Sequence, residues 1–369
     1  MASVASPTVS VLVPVLNERA AIREAVATMA SQQLDGTFEL LFADGGSTDG
    51  TREELERIAL TDPRVRVFDN PLRGTASGLN VCLREARGTF VARMDAHTLY
   101  PVTYLQTGIE RLRVGDCAWV AGPQVAEPRG QVSAAIAAAM DSPLGRGGSK
   151  RWGRDAGGNG NGNGAAAAEY DLDTGVFCGV WRREDLLAHN GWDEGWPRNQ
   201  DSELAARFLA AGQRIVCVPA MAARYIPRDS FGALWRQYRD YGSYRAKTAG
   251  RHPGSLRRSA LLPPLVALDA AAAVVAPPRV RLLARAGLLV YGAALARVGV
   301  DVACGERHPG EAPRVPFVLA TMHLAHGVGF IDGCRRWGVP WRAFAHVVRG
   351  DEAMPAYRGE IDAPSLRGD

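Results

Sequence analysis

The segment TVSVLVPVLNERAAIREAVATMASQQLDGTFELLFADGG, residues 8–46, decides the fold of this chain. It opens with a run of β-branched and leucine residues that predicts a buried strand ending before Asn17. Apolar residues then recur at helical spacing at Ile22, Val26 and Met29. A second apolar run follows and is closed by two glycines. The segment therefore predicts a strand, a helix and a second strand in succession.

The same alternation continues outward from this segment. The runs RVRVFDN (64–70) and TFVARMDAH (89–97) predict two further strands, and a helical pattern precedes each of them. Strands that alternate with helices of about a dozen residues form βαβ units and a parallel sheet. We therefore predict the α/β class, with a Rossmann-like, mostly parallel sheet flanked by helices.

Polar residues occupy the positions where the predicted strands end. In open α/β sheets, ligands bind beyond the carboxyl ends of the strands. The residues found there are Asn17, Glu18, Asp44, Asn70, Asp95 and His97. An ordinary turn would use such residues at any single position. Polar residues at the ends of all four predicted strands indicate a binding site.

Composition excludes several classes of protein. The chain has 369 residues, of which 47% are apolar, and this suits one large domain with an appendage. The net charge of +4 comes without a Lys/Arg-rich block, which argues against nucleic-acid binding. The six cysteines are scattered without a C-x-x-C pair, which favours a reducing compartment. No basic segment precedes the first strand, so we expect no signal peptide and a cytoplasmic catalytic part.

Four motifs in this order resemble the family 2 glycosyltransferases, which are inverting enzymes of the GT-A fold. The motifs are VSVLVPVLNE (9–18), ADGGSTDGT (43–51), RMDAH (93–97) and NQDSELAARFLAAG (199–212). The resemblance extends to about residue 248 and is closest to the succinoglycan-biosynthesis type. It implies transfer of a sugar from a nucleotide sugar, with UDP expected, to a lipid-linked or polysaccharide acceptor in exopolysaccharide or cell-envelope glycan synthesis.

The resemblance also implies a divalent cation, Mn²⁺ or Mg²⁺. The family holds this ion with an acidic D-x-D motif, which here reads Asp95-Ala96-His97. A cation at this place would neutralise the charge that develops on the leaving diphosphate. Asp95 and His97 are the expected metal ligands. His97 departs from the acidic pattern, but Mn²⁺ accepts imidazole, and contact with a phosphate is the alternative.

Donor-binding residues follow from the same resemblance. Those implied to bind the nucleotide sugar are Pro14, Asn17, Glu18, Asp44, Asn80 and Asp95. A strand-ending turn is the alternative for the first three. Many members of the family have two consecutive acids where this chain has Asp44 and Gly45, so the nucleotide stays open.

Inversion at the anomeric carbon needs one general base to accept the proton of the attacking hydroxyl. In the family this base is the Asp of an E-D pair that opens a helix. Here the pair reads Gln200-Asp201, so Asp201 is the expected catalytic base and Glu203 is the second candidate. Acids in a first helical turn also stabilise the helix dipole, so helix capping is the alternative for Asp201.

A further motif lies beyond the expected base. LWRQYRDYGSYR (234–245) loosely matches a Q-x-x-R-W signature of related processive synthases. By that resemblance Gln237, Tyr241 and Arg245 contact the acceptor or the diphosphate. An amphipathic helix with a solvated basic face is the alternative.

The composition changes twice along the chain. Residues 141–169 are rich in Gly and Asn with a basic cluster, which predicts a flexible loop, either a lid or a solvated insert. After residue 248 the chain becomes strongly apolar. We therefore assign residues 1–248 to the catalytic domain and residues 249–369 to a helical, membrane-associating region.

Three apolar stretches, 260–278, 282–300 and 315–333, define that last region. A spanning helix needs about 20 apolar residues. The first two stretches contain Asp269 and Arg285, and charges are costly at mid-bilayer. We therefore expect helices lying in the interface at the cytoplasmic face of the cell membrane, with basic flanks toward anionic lipid. A soluble helical subdomain is the alternative.

Two other functions remain open from the sequence. A nucleotidyltransferase would need a Gly-rich basic loop after the first strand, and PVLNERAA (14–21) lacks one. A non-catalytic protein that binds nucleotide sugars is also compatible, because two acidic positions of the family motifs are altered.

Overall fold

The computed structural model describes residues 6–147, 168–176, 178–305 and 308–350. These residues form two compact units. The first contains the described residues up to 125 and between 168 and 225. The second contains residues 126–147 and the described residues between 226 and 350. Most of the predicted loop at 141–169 lies outside the described residues.

The helices and strands alternate through the first half of the chain, as predicted. The strands are β1 (Val9–Val15), β2 (Phe38–Asp44), β3 (Val65–Asp69), β4 (Phe90–Arg93), β5 (Thr98–Leu99), β6 (Trp119–Ala121), β7 (Gln124–Ala126), β8 (Tyr170–Asp171), β9 (Gly179–Arg182), β10 (Ile215–Cys217) and β11 (Ala223–Tyr225). The helices are α1 (Ile22–Ala30), α2 (Thr51–Ala59), α3 (Thr75–Glu85), α4 (Tyr104–Arg113), α5 (Gln131–Asp141), α6 (Pro143–Arg146), α7 (Arg183–Ala188), α8 (Gln200–Ala210), α9 (Phe231–Arg251), α10 (Leu262–Val275), α11 (Pro278–Cys304), α12 (Val315–Trp337) and α13 (Trp341–Arg349).

The main sheet has the strand order β3-β2-β1-β4-β9-β6-β10-β8. β1 pairs in parallel with β2 and β4, β2 pairs in parallel with β3, and β6 pairs in parallel with β10. β9 and β8 run antiparallel to their neighbours. The predicted α/β class with a mostly parallel sheet is therefore confirmed. A smaller sheet has the order β5-β11-β7.

Both faces of the main sheet are covered, which explains the unbroken apolar runs. In β1, Val11 and Val13 belong to one buried apolar cluster, whereas Leu12 belongs to the cluster on the opposite face. Every residue of β2 is buried. A strand buried on both sides needs apolar side chains at successive positions, because no face of it meets water. The polar residues are therefore found at the strand ends, and the ends of the neighbouring strands β2, β1 and β4 adjoin.

The second unit is built around the packing of α9 on α12. A Cβ atom on Gly242 would lie 2.0 Å from the carbonyl oxygen of His326. A Cβ atom on Gly329 would likewise lie 1.9 Å from the carbonyl oxygen of Arg239. The two helix backbones thus approach so closely that only glycine fits where they cross.

The boundaries of these two units differ from the domain boundary predicted from composition. A boundary after residue 248 passes through α9, whereas α9 belongs as a whole to the helical unit, as do residues 126–147. The reason is that α9 carries polar residues on its outer side and small residues toward α12. Composition averaged along the chain is dominated by the polar residues and does not reveal the small residues that pack on α12.

Three helices in the described part of the chain are long and apolar enough to cross a membrane, by length and composition. They span Arg258–Val275, Pro278–Cys304 and Val315–Trp337. The second is mostly exposed, and Leu282, Leu289 and Val290 are among its exposed residues. The unit therefore presents an exposed apolar surface along this helix, of the kind found at protein or membrane interaction sites.

Candidate functional site

The site begins with the turn after β2. The carboxylate of Asp44 is buried and accepts hydrogen bonds from the backbone N–H groups of Gly46 and Ser47, each at 3.0 Å. It also accepts the hydroxyl of Ser47 at 2.5 Å. Gly46 has a φ of 77°, a conformation that glycine adopts at little cost. Asp44 therefore closes this turn and shapes the loop at the strand end.

The turn after β1 is joined to the turn after β2. Asn17 has a left-handed backbone with a φ of 56°, and its side-chain oxygen accepts the N–H of Thr48 at 2.9 Å. The N–H of Asn17 donates to the hydroxyl of Ser47 at 2.9 Å, and that of Glu18 donates to Thr51 Oγ1 at 2.8 Å. The two predicted donor-binding loops thus form one hydrogen-bonded platform.

Pro14 and Asn80, which are also predicted to bind the donor, contact other parts of the chain in the structure. Pro14 lies within β1, where it packs closely against Gly78 of α3. Asn80 is 1% exposed; its amide group donates to Trp192 O and Glu194 Oε1, and its oxygen accepts the N–H of Trp192. Contrary to the prediction, Asn80 is a clamp between α3 and the segment before α8. Its buried side chain already uses both amide hydrogens within the chain.

Arg93, the last residue of β4, lies at the centre of the site. Its side chain is 3% exposed. Nε and Nη2 donate to the two carboxylate oxygens of Asp95 at 2.9 and 3.0 Å, and Nη1 donates to Asp201 Oδ1 at 2.5 Å. One guanidinium group therefore brings together the predicted metal ligand and the predicted base. Although burial disfavours the charged form, the carboxylates of Asp201 and Asp95 raise the pKa of Arg93 well above its ordinary value.

Asp95 is held from its backbone as well as its side chain. Its N–H donates to the hydroxyl oxygen of Tyr100 at 2.8 Å. Burial raises the pKa of Tyr100 well above its usual value, so this hydroxyl stays neutral. The carbonyl oxygen of Asp95 accepts the N–H of Thr98 at 3.2 Å, which forms the turn into β5. The carboxylate of Asp95 is thus fixed in place at the strand end.

His97 extends further outward from the same turn. Its side chain is 52% exposed, and Nδ1 lies 3.6 Å from Glu18 Oε1. The ends of β1 and β4 therefore bring an imidazole and a carboxylate together beside Asp95. The side chains of Glu18 and His97 meet here because β1 and β4 are adjacent parallel strands.

The available ligands fit a cation that is shared with a substrate. Among the described residues, no group of three or more His, Cys, Asp and Glu side chains could hold a metal ion without further ligands. Mg²⁺ is usually bound through one or two carboxylates, with water and substrate phosphates completing its shell. Asp95 supplies such a carboxylate, and His97 supplies a nitrogen that Mn²⁺ accepts. The donor set therefore suits Mn²⁺ or Mg²⁺ bound together with a diphosphate.

The structure distinguishes the two candidate bases on α8. The side chain of Asp201 is 17% exposed and points to Arg93. Glu203 is 0% exposed and pairs with Arg207, which contacts its oxygens at 2.8 to 3.0 Å. A completely buried, paired carboxylate cannot reach an acceptor hydroxyl. Of the two predicted bases, Asp201 is therefore the one with a partly exposed carboxylate.

Sequence reasoning missed Arg93, although a signal was present. Side chains two residues apart in a strand project from the same face, so Arg93 and Asp95 share one side of the chain. A charged residue within an apolar strand is rarely buried without a partner. These two facts together indicate a buried pair at the mouth of the site.

The predicted acceptor-contacting residues all lie on α9 in the helical unit. Gln237, Tyr241 and Arg245 are spaced four residues apart and therefore share one face of the helix. Gln237 Nε2 donates to the hydroxyl of Tyr241 at 3.0 Å. Their contact with an acceptor stays a prediction.

Comparison with known proteins gives the family and the fold. The profile of the family described as "Glycosyl transferase family 2" matches residues 10–154. The succinoglycan biosynthesis protein ExoA of Rhizobium meliloti (strain 1021) is 34% identical over 324 residues, which cover 87% of this chain and 93% of that protein. The putative teichuronic acid biosynthesis glycosyltransferase TuaG of Bacillus subtilis is 31% identical over 114 residues, covering 31% of this chain and 45% of that protein.

A solved structure is similar over most of the chain. The mannosyltransferase PcManGT from Pyrobaculum calidifontis, in complex with GDP-Man and Mn²⁺, superposes with a TM-score of 0.54 at 22% identity. The superposition covers 89% of this chain and 88% of that one. The fold is therefore the GT-A fold, followed by an apolar helical region. From the near full-length relative and the profile match, this chain belongs to glycosyltransferase family 2.

Proposed function

We propose that this chain is an inverting, metal-dependent glycosyltransferase that acts in exopolysaccharide or cell-envelope glycan synthesis. It transfers one sugar from a nucleotide sugar, UDP-linked, to a lipid-linked or polysaccharide acceptor. The observation that carries the proposal is that Asp95 and Asp201, far apart in sequence, meet at one guanidinium group. The similarity to a succinoglycan biosynthesis protein supports the type of acceptor.

In this mechanism the loops after β1 and β2 bind the nucleotide. Asn17, Glu18 and Asp44 shape that platform, and Pro14 and Gly78 pack beneath it. We expect this platform to contact the base and ribose of the donor. Asp95 and His97 would hold the divalent cation, which would neutralise charge on the leaving diphosphate.

Asp201 acts as the general base. Its carboxylate accepts the proton of the acceptor hydroxyl while that oxygen attacks the anomeric carbon. The bond between the anomeric carbon and the diphosphate oxygen breaks on the opposite side, so the nucleoside diphosphate leaves and the configuration inverts. Contact of Gln237, Tyr241 and Arg245 with the acceptor or the diphosphate remains a prediction from the family resemblance.

A second function, a non-catalytic nucleotide-sugar-binding protein, is favoured by one observation. Both carboxylate oxygens of Asp95 accept hydrogen bonds from Arg93. If those bonds excluded a cation, the chain would bind a donor without turning it over.

Donor turnover distinguishes these two functions. We expect one donor among UDP-glucose, UDP-galactose, UDP-N-acetylglucosamine and GDP-mannose to raise the melting temperature of the full-length protein. We also expect that donor to be hydrolysed in the presence of Mn²⁺ and not after chelation by EDTA, because the cation stabilises the leaving diphosphate. Stabilisation by a donor without hydrolysis would identify the binding protein. Metal-independent hydrolysis would contradict the role of the cation.

We further propose that the apolar helices hold the enzyme at the cytoplasmic face of the cell membrane by shallow insertion. In α11, the uncharged stretch between Arg285 and Arg297 is residues 286–296. That is about 17 Å of helix, roughly half of the 30 Å hydrocarbon core. Arg297 pairs with Asp301 on an exposed face, which places charge at the end of this stretch. Insertion to the depth of the headgroup boundary would bury the short apolar stretch and leave the charged pair at its end in the polar region.

Liposome flotation tests this membrane proposal. The full-length protein should float with vesicles that contain phosphatidylglycerol and remain bound at high salt, because apolar burial adds to the electrostatic attraction. Extraction by alkaline carbonate should release it. Resistance to carbonate would instead show membrane-spanning helices, and failure to float with any vesicle would show a soluble helical subdomain.

A further inference from the structure

The buried position of Arg93 raises the question of what its charge does. Its guanidinium group uses one edge for Asp95 and the remaining terminal nitrogen for Asp201. Arginine alone offers such a planar fork, with donors that reach two carboxylates in fixed directions. The pair it joins comes from the end of β4 and the first turn of α8. A residue needed only to balance one buried charge would not require both contacts.

The contact between Arg93 and Asp201 constrains the direction of the Asp201 side chain. Asp201 lies in the first turn of α8, whose start packs against Gly175: a Cβ atom on that glycine would lie 2.2 Å from Asp201 O. Gly175 therefore packs against the backbone of Asp201, and Arg93 contacts its carboxylate. Arg93 contacts one oxygen of that carboxylate, Oδ1, and so fixes the direction of the Asp201 side chain.

The contact to Asp95 has a different consequence. A carboxylate has about four lone-pair positions, and Arg93 uses one on each oxygen of Asp95. A divalent cation can therefore bind Asp95 without displacing Arg93. The cation would nevertheless meet a fixed positive charge beyond the same carboxylate. That repulsion must weaken metal binding.

From these contacts we propose that Arg93 is a positioning residue that orients Asp201 toward the acceptor and, through Asp95, weakens the binding of the divalent cation. The inference rests on the proposed function, in which Asp201 is the base and Asp95 is a metal ligand. Weakened metal binding would allow the cation to leave with the nucleoside diphosphate after each turnover.

Arg93→Gln tests both parts at once. We expect the full-length variant to bind Mn²⁺ alone about tenfold more tightly, measured by the electron paramagnetic resonance signal of free Mn²⁺. We expect the kcat of Mn²⁺-dependent donor hydrolysis, measured with UDP-glucose and GDP-mannose, to fall about 100-fold at saturating metal, with a much smaller change in KM. Tighter metal binding with slower turnover is an outcome that a folding defect does not produce.

Arg93→Lys and Arg207→Lys provide the matched comparison. Lysine keeps the charge but cannot reach both carboxylates, so Arg93→Lys should lower kcat at least about tenfold while Mn²⁺ affinity changes little. Arg207 is a second buried arginine, paired with Glu203 on α8. Arg207→Lys should lower the melting temperature and leave both kcat and Mn²⁺ affinity near those of the wild type.

The outcomes separate this inference from the proposed function. If Arg93→Gln binds Mn²⁺ no more tightly than the wild type, the effect on metal binding is absent and the inference is overturned. It is also overturned if the losses in Arg93→Lys merely parallel the loss of thermal stability, as in Arg207→Lys. If Arg93→Gln does not fold, Arg93→Lys decides. Absence of donor hydrolysis in the wild type would overturn the proposed function, while the Mn²⁺ measurement would still test the contact with Asp95.

Discussion

Asp201→Asn is expected to slow sugar transfer by about 100-fold or more, because a general base typically contributes 10²- to 10⁴-fold. Asparagine has the size of aspartate, and its side-chain oxygen can still accept the hydrogen bond from Arg93. The start of α8 should therefore be preserved. We expect donor affinity close to that of the wild type, since the base acts on the acceptor and not on the bound donor. The loss of melting temperature should be smaller than for a fully buried pair, because Arg93 keeps its ion pair with Asp95. Steady-state transfer kinetics and a donor thermal-shift titration check both statements.

Glu203→Gln is the control for this result, because it changes an acid two residues away on the same helix. Glu203 is completely buried and paired with Arg207. Breaking a buried ion pair destabilises a protein by roughly 3–5 kcal/mol, so this variant should lose melting temperature. Its transfer rate at a temperature where it remains folded should stay within about tenfold of the wild type. Normal transfer by Asp201→Asn, together with an inactive and stable Glu203→Gln, would show that the base is misassigned.

Asp95→Asn should remove the metal-dependent part of donor binding. The substitution keeps the shape of the side chain but removes the charge that attracts a divalent cation. We expect turnover to fall by about 100- to 1,000-fold, which corresponds to roughly 3–4 kcal/mol of transition-state stabilisation. The decisive measurement is donor affinity with Mn²⁺ and with EDTA. The two values should differ for the wild type and coincide for the variant.

Asp69→Asn serves as the comparison for Asp95→Asn. Asp69 is also an acid at the end of a strand of the main sheet, but it is exposed and pairs with Arg52 of α2. Its removal should leave Mn²⁺ dependence unchanged, and an exposed pair of this kind is worth less than about 1 kcal/mol. If Asp95→Asn retained the Mn²⁺ dependence of the wild type, Asp95 would not be a metal ligand.

Much of the fold was predictable from short stretches of sequence. A strand buried on both faces must be apolar at successive positions, and a helix on the sheet must be apolar every three or four residues. Both patterns lie within one element, so β1, α1 and β2 could be recognised without knowledge of the rest of the chain. The positions of Asp44 and Asp95 at strand ends followed from the same patterns, because parallel strands place their carboxyl ends at one edge.

The choice between Asp201 and Glu203 was only partly accessible. Residues two apart on a helix point in different directions, and no local pattern states which direction faces the site. From the sequence, Glu203 stayed the second candidate base, and the structure pairs it with Arg207 at the i, i+4 spacing of a helical ion pair. The side of α8 that meets the sheet was decided by packing.

The meeting of Arg93 with Asp201 could be decided only by the tertiary structure. The two residues are 108 positions apart, and their contact depends on where the folded chain brings the start of α8 relative to the end of β4. The clamp formed by Asn80 on Trp192, 112 positions away, has the same origin. The sequence by itself thus determined which elements form and which residues end them, because those properties depend on near neighbours. The tertiary structure decided which side chains share a charge or a hydrogen bond, because burial forces polar groups to pair with whatever the folded chain brings beside them.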